Sequence, residues 1–301
     1  MHDATAQLRR VPLLSKTGMV AALPLFGAFV VGLGSRRRLR RHFPVLFRIQ
    51  FVGVAVLAVL AGWSFEVNVR NVGAVGVLLV AQVGAVILAA TLFRARSDGP
   101  LLAFAMYGNP VFWSAPVAVA TLGTEAAAFL VAYDMLTQPR IALAVKLMRS
   151  RAPVEQSKRS ALADYAPTAG ALSGFLLGLV VAPPGGIATV VALLGVALGA
   201  FGSLLLGVAW PREWVGRAAA RVSLRGLGLH LSFVPSVLAL VTLAGFALPD
   251  AAWLLAFSPL PVSLVAFARL YGYSTRTAAT GFALSIVLAI LLLPAALALG
   301  G

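Results

Sequence analysis

Gly-Asn-Pro-Val-Phe-Trp-Ser-Ala-Pro, residues 108–116, interrupts the centre of an apolar segment that spans residues 101–122. A second apolar segment, residues 251–270, is interrupted by Ser-Pro-Leu-Pro-Val-Ser at residues 258–263. We call these stretches the first break and the second break. Proline lacks a backbone donor and disrupts the preceding helical turn, so both segments are predicted to be broken helices.

The two breaks occupy matching positions in the two halves of the chain. Aligning Pro110 with Pro259 also aligns Gly123 with Gly272, which indicates an internal repeat in the 301-residue sequence. Backbone without helical hydrogen bonds survives at membrane depth only where protein or a polar cavity surrounds it. A duplicated break therefore indicates a substrate site.

The composition is typical of a polytopic membrane protein. Hydrophobic residues make up 60% of the chain and charged residues 11%, with a mean hydropathy of +0.96, which excludes an ordinary soluble domain. The formal net charge of +15 comes from basic residues in short gaps between apolar runs, so we predict a lipid bilayer and no nucleic acid as its partner. The chain has no cysteine, which excludes thiolate metal sites, and no cofactor is expected.

Ten apolar segments meet or approach the roughly 20 residues that a membrane-spanning helix needs. The predicted architecture is therefore an all-α bundle of ten transmembrane helices. The segments cover residues 17–34, 43–63, 72–93, 101–122, 126–147, 165–182, 187–209, 227–247, 251–270 and 277–298.

Basic residues predict the orientation of these spans. The even-numbered connections carry Arg70 alone, whereas every odd-numbered connection carries arginines, as in residues 36–41 and 149–159. By the positive-inside rule, the odd-numbered connections lie on the cytoplasmic side of the cell membrane and both termini lie on its outer side. The tail residues Arg9, Arg10 and Lys16 oppose this orientation, but the asymmetry of the loops recurs at five connections.

Five spans in each half make the predicted repeat an inverted one, because an odd number of spans reverses the direction in which the second half enters the membrane. The predicted divisions are an N-terminal repeat at residues 1–148, a cytoplasmic linker at 149–164 and a C-terminal repeat at 165–301.

Several stretches resemble one known family. Residues 107–123, with Gly-Asn-Pro, a second proline six residues after the first and a closing Leu-Gly, resemble the fourth span of the auxin efflux carrier family. Residues 259–294 are similar to the end of that family, with prolines in the ninth span, then Ala-Arg-Leu-Tyr-Gly and a last span that closes on Leu-Pro. Residues 227–235 are similar to its eighth span.

This resemblance implies a carrier of the bile acid, arsenite and riboflavin transporter superfamily, in which spans four and nine cross at the substrate site. It also implies organic anions as substrates. Spans one, two, six and seven would form a scaffold, and the other spans would form a moving transport domain.

The side chains of the breaks suit a carboxylate ligand. Half-helix ends carry unpaired N–H groups with a partial positive charge, and Asn109 can both donate and accept hydrogen bonds. Each polar residue can instead satisfy only the broken backbone, and Trp113 can either stack on a planar substrate or fill space between helices. The candidate substrate-binding residues are Asn109, Pro110, Trp113, Ser114, Pro116, Ser258, Pro259, Pro261 and Ser263.

Asp134 lies eight residues inside the fifth span, with Gln138 one turn later and Arg140 beyond Pro139. An acid at that depth costs roughly 2.5–3.5 kcal/mol on insertion scales, so it is expected to face protein or water. Two interpretations stay open. Asp134, Gln138 and Arg140 either couple transport to protons or form a structural ion pair across a bend.

Glycines recur every four residues in the sixth span at 170, 174 and 178, and in the seventh at 195 and 199. Small residues at this spacing allow helices to approach closely, either inside the scaffold or across a homodimer.

Together these features predict a secondary transporter of small organic anions that works by alternating access. A membrane sensor or interaction scaffold built on a transporter fold is the alternative. An enzyme is not expected, because His2, His42 and His230 are too scattered for a metal site or a catalytic triad.

Overall fold

The computed structural model describes residues 16–94, 99–137, 146–147, 150, 166–211 and 217–300. These residues form helices and connecting turns, and the described part contains no strand. The main helices are α1 (Lys16–Gly34), α2 (Phe43–Ser64), α3 (Val69–Leu92), α4 (Gly99–Ala105), α5 (Ala115–Thr121), α6 (Thr124–Leu136), α7 (Ala166–Val180), α8 (Ile187–Ala209), α9 (Arg217–Leu243), α10 (Asp250–Ala256), α11 (Ser263–Leu270) and α12 (Thr275–Gly300).

Five helices in the described part are long and apolar enough to cross a membrane: Val45–Ser64, Val69–Leu92, Ile187–Ala209, Ala219–Leu243 and Thr275–Leu299. Shorter apolar helices accompany them at Pro24–Gly34, Val111–Thr121 and Ala169–Val180. Large apolar side chains such as Val80, Leu240 and Leu291 are exposed on their outer faces. A helix surface of this kind is stable in lipid, so the chain has the structure of a membrane-embedded helical protein.

Two helix pairs are held together by reciprocal glycine contacts. The long helix α8 packs along α1, and α7 packs along α2. A Cβ atom on Gly174 of α7 would overlap the Val59 carbonyl, and one on Gly62 of α2 would overlap the Ala171 carbonyl. Gly32 and Gly207 make the same kind of contact between α1 and α8, so all four glycines bring backbones together inside one chain.

The short helices surround the two breaks in the buried interior. The contacts of α10 extend to α6, α9 and α12, and α11 packs against α12 and α4. Every residue of α4 and α10 except Asp250 is buried. These helices are therefore enclosed by protein, as broken backbone at membrane depth requires.

The eighth span differs most from its prediction, and the fifth is described only in part. The fifth was predicted to run to residue 147; α6 covers Thr124–Leu136, and residues 138–145 lie outside the described residues. The eighth was predicted to begin at residue 227, but α9 begins at Arg217 because its first turns carry arginines that a hydropathy count excludes. The predicted linker, apart from Ser150, and the N-terminal tail lie outside the described residues.

Candidate functional site

The first break is shorter than its sequence suggests. After α4 the chain turns at Met106 and Tyr107, passes Gly108 with φ of +65°, and re-enters the helix through one π-helical turn, Pro110–Ser114. We expected the break to extend through Pro116, but Pro116 is the second residue of α5. Proline is tolerated there because the first helical turn needs no donor from it.

The second break occupies the predicted stretch except for its last residue, Ser263. Helix α10 ends at Ala256, and the chain is non-helical from Ser258 through Pro261. Helix α11 then begins at Ser263. Both Pro259 and Pro261 are buried in the non-helical stretch, where neither residue must donate to a helix.

The two breaks contact each other directly. The backbone N–H of Asn109 donates to the Ser258 Oγ at 3.1 Å, and the Ser114 hydroxyl donates to the Leu254 carbonyl at 3.3 Å. All these groups are buried, where an unpaired backbone donor costs about 1–3 kcal/mol. The serines therefore stabilise the junction between the breaks by satisfying backbone that the helices leave free.

Asn109 uses its backbone fully and keeps its side chain free. Its carbonyl accepts hydrogen bonds from the N–H groups of Trp113 and Ser114, each at 3.2 Å. Its side chain makes no hydrogen bond with the described residues, although Asn109 is only 3% exposed. An amide offers two donors and an acceptor, so this side chain can bind a ligand without dismantling the junction.

Two long helices supply side chains to the carbonyls left free by the breaks. The Gln82 side chain of α3 donates to the Tyr107 carbonyl at 3.1 Å and accepts from the Tyr133 hydroxyl at 2.7 Å. The His230 side chain of α9 lies 3.1 Å from the Ser258 carbonyl through Nε2. Because a carbonyl only accepts, Nε2 of His230 must carry the hydrogen in this contact.

Neither residue is among the candidate substrate-binding residues named from the sequence. The structure buries His230 completely at the second break. Gln82 is equally buried. Lone polar side chains in the middle of otherwise apolar spans were the available signal, because such groups persist in a membrane interior only with a partner.

Several backbone donors of the breaks have no acceptor among the described residues. The N–H of Leu260 is paired with the Ser285 Oγ at 3.0 Å. By contrast, the N–H groups of Val111 and Phe112 in the first break, and of Val262 and Ser263 in the second, make no hydrogen bond with the described part of the chain. Both breaks therefore contain neutral backbone donors that the described residues leave without a partner.

Aromatic residues of the first break contact the α8 side of the molecule. Trp113 is half-buried against the apolar core, and Phe112 fills the space next to Gly199 and Gly202 of α8. Both rings therefore pack against other helices, and the stacking and space-filling interpretations of Trp113 both stay open.

Asp134 is buried in α6, directly after Tyr133. It has an interaction partner, so the residue is not isolated in the bundle. Gln138 and Arg140 lie outside the described residues. The proposed coupling role of this group stays a prediction.

Comparison with protein-family models gives no match for this chain, and comparison with curated proteins gives no match either. The resemblance to the auxin efflux carrier family therefore rests on the sequence stretches quoted above.

Proposed function

We propose that this chain is a secondary transporter of small organic anions, related to the auxin efflux carrier family, that works by alternating access. The observation that carries the proposal is the buried contact between Asn109 of the first break and Ser258 of the second. Transporters place their substrates where interrupted helices meet near the middle of the bilayer.

An inverted repeat explains why these two residues meet. Asn109 and Ser258 are separated by 149 residues, which is also the separation of Pro110 from Pro259. Gly123 and Gly272 share that separation, and both have a positive φ, 96° and 75°. Equivalent positions in two halves of opposite orientation would come together at a pseudo-two-fold axis, so the contact of Asn109 with Ser258 supports this repeat.

The helix pairs α1–α8 and α2–α7 also agree with an internal repeat of five spans. Under a repeat of five spans, the contact of α1 with α8 becomes the contact of α7 with α2, and both occur. The helices α3 and α9 are equivalent to each other, and each donates one buried polar side chain, Gln82 or His230, to a carbonyl of its own half's break.

The chemistry at the junction favours an anion. The described residues leave without a hydrogen-bond partner the Asn109 amide and the N–H groups of Val111, Phe112, Val262 and Ser263. Preorganised neutral donors stabilise a carboxylate strongly in a buried site, and they do so without the desolvation cost of a lysine. A small mono- or dicarboxylate is the ligand class that these groups fit.

Movement of the breaks relative to a rigid scaffold would give alternating access. The pairs α1–α8 and α2–α7 are locked by backbone contacts at glycine, which suits a fixed element. Phe112 meets Gly199 and Gly202 of α8 through its ring and Cα, which suits a sliding surface.

The test is flux of carboxylates in liposomes that contain the purified protein. Radiolabelled mono- and dicarboxylates are offered with no gradient, with a proton gradient and with a sodium gradient. The proposal expects saturable uptake of at least one anion above the rate of protein-free liposomes. Folded protein that moves no member of the panel, but is thermally stabilised by one, would contradict transport and favour a sensor.

A further inference from the structure

A cavity of about 540 Å³ lies at the end of α1, away from both breaks. It is lined by Leu33 and Gly34 from the end of the helix and by Arg36, Arg37 and Arg40 from the basic segment that follows. We call it the arginine cavity. Among the described residues, its lining contains three cationic side chains and no acidic one.

Positive charge converges on this place from two parts of the chain. The segment Arg36–His42 carries five arginines in seven residues, and the charge of Arg40 also acts on Arg269 at the end of α11. Like charges that are held close together repel each other, so bound anionic groups would stabilise this arrangement. Guanidinium groups match phosphate oxygens with paired hydrogen bonds, which makes phosphate the preferred anion.

The apolar surface beside the cavity indicates a lipid as the source of that phosphate. Phe26, Val30 and Leu33 lie at positions i, i+4 and i+7 of α1, and each is exposed, by 66%, 47% and 37%. They form one stripe along the helix, and its last member, Leu33, lines the cavity. A free anion would make no apolar contact with this stripe, whereas the acyl chain of a lipid would cover it.

We propose that the arginine cavity binds the headgroup phosphate of an anionic phospholipid, with an acyl chain along the stripe of Phe26, Val30 and Leu33. Basic pockets at the cytoplasmic ends of transmembrane helices are suited to such headgroups. The site is independent of the transported substrate, and it would anchor the end of α1, which packs on α8, to one leaflet.

The test measures the affinity of the full-length protein for phosphatidylglycerol and for phosphatidylcholine by native mass spectrometry of protein released from micelles. The expected result is a preference of about tenfold or more for phosphatidylglycerol in the wild-type protein. Arg36→Gln, Arg37→Gln and Arg40→Gln together should abolish that preference. The matched control replaces Arg217, Arg221 and Arg225 of α9 by Gln, which removes the same charge elsewhere and should retain it.

Two further measurements separate lipid binding from misfolding of the variant and from binding of free phosphate. Replacing the three cavity arginines by lysine keeps the positive charge but removes the paired hydrogen bonds of the guanidinium groups. This variant should weaken the preference only in part, and it controls for misfolding of the glutamine triple. Inorganic phosphate at millimolar concentration should not displace phosphatidylglycerol. Equal loss in the cavity and control triples, no preference in the wild-type protein, or displacement by inorganic phosphate would each overturn the proposal.

Discussion

At the scale of single residues, the junction between the breaks depends on Gly108. Its φ of +65° is a conformation that glycine adopts freely and other residues adopt at a cost. A Cβ atom at this position would also overlap the Ser258 Oγ, which is the acceptor for the Asn109 N–H. Gly108 therefore allows both the turn of the chain and the close approach of the second break.

We predict that Gly108→Ala lowers the free energy of unfolding by about 2–4 kcal/mol, from the strained φ and the lost buried hydrogen bond. Thermal unfolding in detergent measures the effect. Gly186→Ala is the matched control for strain alone, since Gly186 has a left-handed φ of +82° and no atom near its would-be Cβ. It should cost about 1 kcal/mol.

A second substitution tests whether overlap with the Ser258 Oγ causes this destabilisation. Ser258→Ala removes the atom that a Cβ at position 108 would meet. Combined with Gly108→Ala, it should therefore destabilise by less than the sum of the two single changes. Strict additivity would show that position 108 and Ser258 do not meet.

At the scale of helices, the glycine contacts decide which elements stay together. Gly174 faces the carbonyl of Val59, and this backbone atom cannot move aside as a flexible side chain can. A side chain at position 174 must therefore separate α7 from α2. The glycine stripe of the sixth span thus serves packing inside the chain, and the homodimer stays a prediction.

We predict that Gly174→Ala lowers the melting temperature by several degrees, whereas Gly228→Ala leaves it unchanged or slightly raised. Gly228 lies in α9 with no atom near its would-be Cβ, so alanine there only improves helix propensity. Comparing the two variants by thermal unfolding in the same detergent measures the difference. Equal melting temperatures would contradict close contact between α7 and α2.

The sequence predicts helices better than it predicts their polar partners. Long apolar runs and the prolines at 110, 259 and 261 indicated the membrane helices and both breaks, because these signals are local. The contacts of Gln82 and His230 could not be assigned, since each depends on which carbonyl a distant chain segment presents.

At the scale of the whole molecule, the positive-inside rule predicts which connections face the cytoplasm. The connection after α1 contains residues 36–41 with five arginines, and the connection after α2 contains Glu66 and is followed by Arg70. The two connections are therefore expected on opposite sides of the membrane.

Single cysteines test this sidedness cleanly because the natural chain has none. Glu66 and Arg38 are both exposed, so cysteines there should react with a maleimide once it reaches them. In intact cells an impermeant maleimide should label Glu66→Cys and spare Arg38→Cys until the membrane is permeabilised. Labelling in the reverse order would place the termini inside and would contradict the predicted orientation.

The most direct test of the central claim compares carboxylate flux through Asn109→Ala and Asn71→Ala in liposomes. The Asn109 side chain makes no hydrogen bond with the described residues, so its removal should preserve folding and expression while it abolishes transport. Asn71 bonds the Glu66 carbonyl near the start of α3, away from the breaks, and its variant should transport normally. Wild-type flux in folded Asn109→Ala would contradict an anion site at the junction of the two breaks.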